Sequence, residues 1–168
     1  MENVPSLSKE KVFKDFVQGL KDNGYHVYYE VVDASDYGVP QRRKRLLLLA
    51  SLLGEISLID KTHKDNKITV RDAIYDLPPI KNGEMHKNDY LHWSSSLSEI
   101  NLKRIKASIP GGTWRDWDPS LLPECYLKES GSSFGSVYGR MEYDKVSPTL
   151  TTQFIRYGTG RYGHPEQD

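Results

Sequence analysis

Residues 41–45, with the sequence Gln-Arg-Arg-Lys-Arg, are the part of this chain whose side chains are best suited to chemistry. They bring four cationic groups together and are followed at once by the apolar stretch 46–50. A leucine run of this kind indicates a buried strand, and since side chains alternate along a strand, Arg43 and Arg45 should share one face. Guanidinium groups held in this way are suited to binding phosphate or the polar edge of a base.

The residues just before this cluster favour a fixed geometry. Taken alone, a short basic run is more often a solvated turn or a localisation signal. Here Gly38 permits a tight turn, Pro40 restricts the backbone, and the leucines that follow direct the chain inward. We therefore interpret the cluster as a binding site.

The elements that must position this site are predicted from apolar spacing. A helix is predicted over 8–23, with Ser8 as its N-cap and Gly24 as its stop. Strands are predicted over 25–32 and 45–53, because those stretches are rich in aromatic, β-branched and leucine side chains. Helix, strand, loop and strand in this order indicate an α/β fold.

After Gly54 polar and turn-forming residues dominate. Short helices are predicted over 70–77 and 97–109, each ended by proline. The three tryptophans of this part are predicted to anchor it by packing, and base stacking is the alternative. They are Trp93, Trp114 and Trp117.

Composition excludes several classes of protein. The 23 basic residues balance the 23 acidic ones, which argues against a protein that coats nucleic acid nonspecifically and leaves only local patches for such contacts. No apolar run approaches the roughly 20 residues of a membrane span. The single cysteine, Cys125, cannot form an internal disulfide. We expect a soluble protein of the cytoplasm, associated with the nucleoid if it is bacterial, without a membrane partner.

An ordered series of short motifs resembles the DNA (cytosine-5) methyltransferase family. In chain order the motifs are Glu2-Asn3-Val4, the run 36–45, the stretches 70–74 and 77–80, 109–116, 138–141, 147–152 and 160–165. The series spans nearly the whole chain and is more specific than any one of its members. The resemblance implies transfer of a methyl group from S-adenosylmethionine to carbon 5 of a cytosine flipped out of duplex DNA.

The resemblance also implies roles for individual residues. Glu2 would share a proton with the ring nitrogen of the cytosine, Arg45 would donate to its carbonyl oxygen, and Arg43 would support the loop or a phosphate. The alternatives are that Glu2 is a frayed terminal residue and that Thr149, assigned to a phosphate, only fills a strand. The candidate DNA contacts are Gln41, Arg42, Arg140, Thr149, Thr151 and Thr152.

By the same resemblance, the chain is a middle part of the enzyme. The implied regions are a partial Rossmann-like catalytic domain (1–53), a loop-rich α+β target-recognition region (54–157) and the start of a return to the catalytic domain (158–168). The family's donor-binding glycine-rich turn and Pro-Cys nucleophile precede its Glu-Asn-Val motif, so we expect the donor pocket to be largely absent and the chain to be inactive alone. A complementing chain could supply both.

Two other functions stay open from the sequence. One is a non-catalytic module, derived from such an enzyme, that binds a specific DNA sequence. The other, an α/β domain unrelated to DNA, would make the series of motifs a coincidence.

Three further features are predicted not to carry chemistry. The run 158–163 fits G-x-G-x-x-G, but too few residues follow it for a helix, so we interpret it as a loop. Cys125 follows Glu124 and not proline, which favours a small packed side chain over the nucleophile. The five histidines lack the spacing of metal ligands.

Overall fold

The computed structural model describes residues 1–128, 135 and 137–167, and the chain divides into two compact units, Met1–Ile68 and Thr69–Asp168. Within the described residues it has three α-helices and one three-stranded sheet, a mixed α/β structure. No helix in those ranges is both long enough and apolar enough to traverse a bilayer.

The sheet of unit 1 (Met1–Ile68) contains β1 (Glu2–Asn3), β2 (His26–Asp33) and β3 (Lys44–Ser51) in the order β1-β3-β2. Both outer strands are antiparallel to β3, so they run parallel to each other. Parallel strands need a crossover connection, and helix α1 (Lys11–Asp22) supplies it. The two predicted strands are confirmed to within two residues at each end.

Helix α1 begins later than the sequence predicts. The prediction of Ser8 as its N-cap is wrong, because Pro5–Lys9 forms a 3-10 turn in which the Ser8 hydroxyl donates to the Pro5 carbonyl at 2.7 Å. The predicted stop is confirmed. Gly24 has φ +83°, and its N–H donates to the Lys21 carbonyl at 2.9 Å.

The core of unit 1 lies on one face of the sheet. Phe13 and Val17 of α1 pack on Leu46 and Leu48 of β3, and all four side chains are buried. Burying each such side chain stabilises the fold by roughly 1.5–3 kcal/mol. Because side chains alternate along β3, this packing directs Arg45 to the face opposite α1.

Unit 2 (Thr69–Asp168) has little regular structure. Its helices are α2 (Val70–Ile74), which opens with a capping box from Thr69 and Asp72, and α3 (Glu99–Ala107). Both predicted helices are therefore present but shorter than expected. Turns and 3-10 segments form most of the rest of the described residues.

An aromatic cluster forms the core of unit 2. Trp114 and Trp117, each 5% exposed, pack with Ile105 and Tyr157, which confirms the prediction that these two tryptophans act by packing. Trp93 departs from that prediction, since it is 46% exposed. It lies in a short hairpin whose residues are mostly exposed and lines a cavity of about 420 Å³.

The boundary between the units falls after residue 68, whereas the predicted functional regions divide after residue 53. The intervening segment belongs to unit 1, where Lys61 pairs with Glu30 at 2.6 Å and Lys67 pairs with Asp36. The functional ranges 1–53, 54–157 and 158–168 stay predictions.

Candidate functional site

Glu2 and Arg45 form an ion pair across neighbouring strands. Glu2 lies opposite Leu47 in the sheet, and Arg45 is two residues from Leu47 on the same face. The Nε atom of Arg45 is 2.6 Å from the Oε1 atom of Glu2, and their side chains are 26% and 55% exposed. Unit 1 thus brings together two of the three residues predicted to be catalytic.

The start of the chain is held in the sheet. The amino group of Met1 donates to the Leu48 carbonyl at 2.7 Å, and the Leu48 N–H donates to the Met1 carbonyl at 2.9 Å. With β1 paired as well, the backbone of Glu2 lies within the sheet. The alternative of a frayed terminal residue does not describe this structure.

The Arg45 guanidinium keeps a donor for a ligand. Its Nε faces Glu2, and its Nη1 donates to the Lys44 carbonyl at 2.7 Å. Among the residues that the structure describes, Nη2 has no hydrogen-bond partner. A partly exposed ion pair of this kind stabilises a protein by only about 0–1 kcal/mol, so the arrangement suits ligand binding better than stability.

The loop before β3 carries the other basic residues of the cluster. Arg42 is exposed, while Gln41 and Arg43 are half-buried. The backbone of Arg43 is fixed, because its N–H donates to an Asp33 carboxylate oxygen at 3.0 Å and its carbonyl accepts from the Ala34 N–H at 3.0 Å. The loop therefore presents these side chains from a defined position.

Asp33 helps to hold this loop in place, a role that the sequence did not predict. One of its carboxylate oxygens accepts from the N–H of Ser35 at 3.2 Å, from the Ser35 hydroxyl at 3.1 Å and from the Arg43 N–H. Burial raises the pKa of Asp33, but these hydrogen bonds outweigh it and hold the pKa below its ordinary value. The signal in the sequence was an Asp two residues before a Ser, which is typical of an Asx turn.

A second set of contacts holds the outer side of the same loop. The 3-10 turn Ala34–Tyr37 ends at Gly38, whose φ of +88° favours glycine. The His63 N–H donates to the Asp36 carbonyl at 2.8 Å, and Lys67 pairs with the Asp36 carboxylate. A Cβ atom on Gly38 would lie 2.9 Å from the His63 ring, so glycine is also needed for the close approach.

Arg140 has a different environment from the one predicted. It is 4% exposed, and its guanidinium donates to four backbone carbonyls at 2.6–3.1 Å. The acceptors are Ile105, Ser108, His164 and Gln167. The fork of guanidinium donors suits such a set of acceptors, and this placement favours a structural role over a DNA contact.

The three predicted threonine contacts, Thr149, Thr151 and Thr152, are exposed in unit 2. None lies in a strand, so the alternative that Thr149 fills a strand does not describe this structure. Tyr162 holds the segment, because its hydroxyl donates to the Thr149 carbonyl at 3.2 Å.

Two of the features predicted to be inert can be placed. Residues 158–163 form no α-helix, in agreement with that prediction, and their first two residues end the 3-10 turn Tyr157–Thr159. The space beside Gly158 and Gly160 is filled by the rings of Tyr138 and Tyr162. Cys125 is exposed, so the prediction of a packed side chain is wrong; it lies in the 3-10 turn Glu124–Tyr126 rather than in the aromatic core.

Comparison with known proteins identifies the class. Residues 1–167 match the family model of C-5 cytosine-specific DNA methylases, and the chain therefore belongs to that family. This confirms the resemblance drawn from the motifs. The family uses S-adenosylmethionine as its methyl donor.

Individual relatives agree with this assignment. The type II methylase M.HgiDII of Herpetosiphon aurantiacus is 52% identical over the whole chain, which covers 49% of that protein. The type II methyltransferase M1.BsuMI of Bacillus subtilis is 32% identical over 98% of the chain, which covers 38% of that protein. The chain thus spans half or less of the length of these relatives.

A solved structure supports the fold. A prophage-encoded protein of E. coli, described as a DNA modification methyltransferase, superposes with a TM-score of 0.60 at 20% identity over 98% of this chain and 53% of that one.

The glycine run does not fit the methyl donor. A glycine-rich turn binds a nucleotide cofactor by leaving its backbone open to the ligand. Here the rings of Tyr138 and Tyr162 occupy the space beside Gly158 and Gly160. These residues therefore do not form a site for S-adenosylmethionine.

Proposed function

We propose that this chain is the part of a DNA (cytosine-5) methyltransferase that holds the target cytosine and contacts duplex DNA. The whole protein would transfer a methyl group from S-adenosylmethionine to carbon 5 of a flipped cytosine. The observation that carries the proposal is the Glu2–Arg45 pair, which places a carboxylate and a guanidinium 2.6 Å apart on adjacent strands in a chain of this family.

The two side chains suit the two polar positions on the edge of a cytosine. When a nucleophile adds at carbon 6, negative charge develops on the ring. Glu2 shares a proton with the ring nitrogen, and Arg45 donates to the neighbouring carbonyl oxygen through its Nη2 atom. A charge-assisted hydrogen bond of this kind contributes about 1.5–3 kcal/mol.

The loop before β3 and the segment 149–152, which carries three threonines, supply the contacts to DNA. Arg42, Arg43 and Gln41 bind phosphates beside the cytosine, and the hydroxyls of the exposed residues Thr149, Thr151 and Thr152 bind the backbone of the duplex. Such local contacts are consistent with a chain whose net charge is zero. Arg140 is not included, because it is buried.

The nucleophile and the donor site belong, in this proposal, to another segment or to a complementing chain. The single cysteine of these 168 residues follows glutamate, whereas the family's nucleophile follows proline. We therefore propose that the 168 residues do not methylate DNA alone. Methyl transfer by this chain alone, in an assay with radiolabelled S-adenosylmethionine, would contradict this statement.

Binding to an unpaired cytosine tests the central claim. The recognition sequence is first selected from random duplexes, and the chain is then titrated into that duplex with its target cytosine opposite either guanine or an abasic position. An unpaired cytosine leaves the stack at lower cost, so it should bind more tightly. Arg45→Ala should remove this preference, because it removes the donor to the cytosine oxygen.

The matched control is Lys11→Ala, which removes an exposed cation on α1. This variant should keep the preference for the unpaired cytosine. A wild-type chain that binds both duplexes equally would overturn the proposal and favour a module that only reads paired DNA.

A further inference from the structure

We infer that Asp33 is a positioning residue that fixes the loop carrying Arg43, so that the Arg43 side chain meets the DNA backbone from a set direction. The inference rests on the proposed function, because it assigns a partner to a residue of the same site. Asp33 acts through the backbone of Arg43 and does not touch the substrate itself.

The first support is where Asp33 lies. It is the last residue of β2 and pairs with Lys44, the first residue of β3, so the loop between the two strands begins and ends beside it. Its carboxylate oxygen accepts from Ser35 at the start of that loop and from Arg43 at the end. One oxygen therefore closes the base of the loop.

The second support is that buried donor groups of Ser35 depend on the Asp33 carboxylate for their hydrogen bonds. Ser35 is 5% exposed, and both its N–H and its hydroxyl donate to Asp33 at 3.1–3.2 Å. Without the carboxylate these buried donors lose their acceptor, which disfavours the observed loop. Asp33→Ala should therefore release the loop, while Asp33→Asn keeps an acceptor oxygen at the same place.

The third support is that Arg43 and Arg45 are held differently. Arg45 lies within β3 and pairs with Glu2, so its position depends on the sheet. Arg43 lies just outside the strand and relies on the Asp33 and Ala34 contacts of its backbone. Loss of the Asp33 carboxylate should therefore reduce the contribution of Arg43 to DNA binding and leave the contribution of Arg45 unchanged.

A double-mutant cycle in DNA binding tests the inference. The probe is the fluorescently labelled duplex that carries the selected recognition sequence. Asp33→Ala and Arg43→Ala should each weaken binding roughly tenfold, about the effect of one charge-assisted contact, and the double variant should bind no more weakly than either single variant. Asp33→Asn should recover most of the affinity, which a merely structural loss would not show.

Several controls fix the interpretation. Asp15→Ala removes an exposed carboxylate of α1 and should leave the affinity unchanged. Amide hydrogen exchange at Leu46 and Leu48 should be the same in wild type and Asp33→Ala, which shows that the sheet stays folded. Independent, multiplying losses from Asp33→Ala and Arg43→Ala would overturn the inference, as would an Asp33→Ala variant that binds like wild type.

Failure of the proposed function can be told apart from failure of this inference. If the wild-type chain binds no DNA, the proposed function fails, and hydrogen exchange at the Arg43 amide then decides the positioning claim. Faster exchange in Asp33→Ala than in wild type supports it. Equal exchange overturns it.

Discussion

The two units of this chain use arginine for opposite purposes. In unit 1 the Arg45 side chain is 26% exposed and pairs with a carboxylate on the neighbouring strand. In unit 2 Arg140 is 4% exposed and donates to backbone carbonyls. Both residues belong to short motifs that resemble the same family, so motif membership alone did not distinguish their roles.

The difference follows from how each unit supplies hydrogen-bond partners to its backbone N–H and C=O groups. The strands β2 and β3 pair over eight residues, so the backbone polar groups that face each other across this pair are satisfied within the sheet. Unit 2 is built of turns, and its buried carbonyls need other donors. Ser108 shows the same use of polar side chains, since its hydroxyl donates to the Arg104 carbonyl at 2.8 Å.

The largest effect expected from this comparison is that of Arg140→Ala. The substitution leaves the carbonyls of Ser108, His164 and Gln167 without the Arg140 donor, and each buried unpaired acceptor costs about 1–3 kcal/mol. We expect the free energy of unfolding of unit 2 to fall by about 3 kcal/mol or more. Urea unfolding measures the change, and hydrogen exchange locates it.

The comparison makes this prediction specific to unit 2. Exchange should become faster around residues 105–108 and 163–167, while the strand amides of 26–33 keep their protection. Arg45→Ala is the matched control and should change stability little, because it cuts a partly exposed pair. If Arg140→Ala unfolds nothing but weakens DNA binding, Arg140 is a DNA contact after all.

The sequence predicted those elements that are determined by residues close together in the chain. The leucine run located β3, and side-chain alternation placed Arg45 on one face, where it meets Glu2. The role of Asp33 was missed because its partner is the backbone N–H of Arg43, ten positions away, and a residue type does not reveal where a backbone donor lies. The burial of Arg140 was missed because the stretch 138–141 lies outside helices and strands and has no apolar period to show which residues turn inward.

The next effect in size concerns the pH dependence of unit 2. The His164 Nδ1 atom accepts from the N–H groups of Glu166 and Gln167 at 3.2 and 3.0 Å. Burial lowers the pKa of His164, and the positive charge of Arg140 lowers it further, although Glu166 opposes this. A histidine with a pKa below its ordinary value of about 6.5 is neutral in the folded state and binds protons more readily when unfolded.

The stability supplied by His164 should therefore be complete above about pH 6.5 and decrease as the pH falls through the folded-state pKa. Urea unfolding between pH 7.5 and 5 measures this loss. The slope should be smaller in His164→Gln than in wild type and unchanged in the control His26→Gln, which alters an exposed histidine of β2. Equal slopes in all three proteins would show that His164 does not contribute.

The smallest effect on stability is expected from Glu2→Gln. The Glu2 side chain is 55% exposed, and an ion pair at such a position contributes at most about 1 kcal/mol, so urea unfolding should detect a change below that size. The preference for an unpaired cytosine should nevertheless decrease, because an amide cannot hold the proton that a carboxyl group shares with the ring nitrogen. A loss of stability as large as that of Arg140→Ala would mean that unit 1 also uses its charged side chains to hold the fold, and the distinction between the two arginines would then fail.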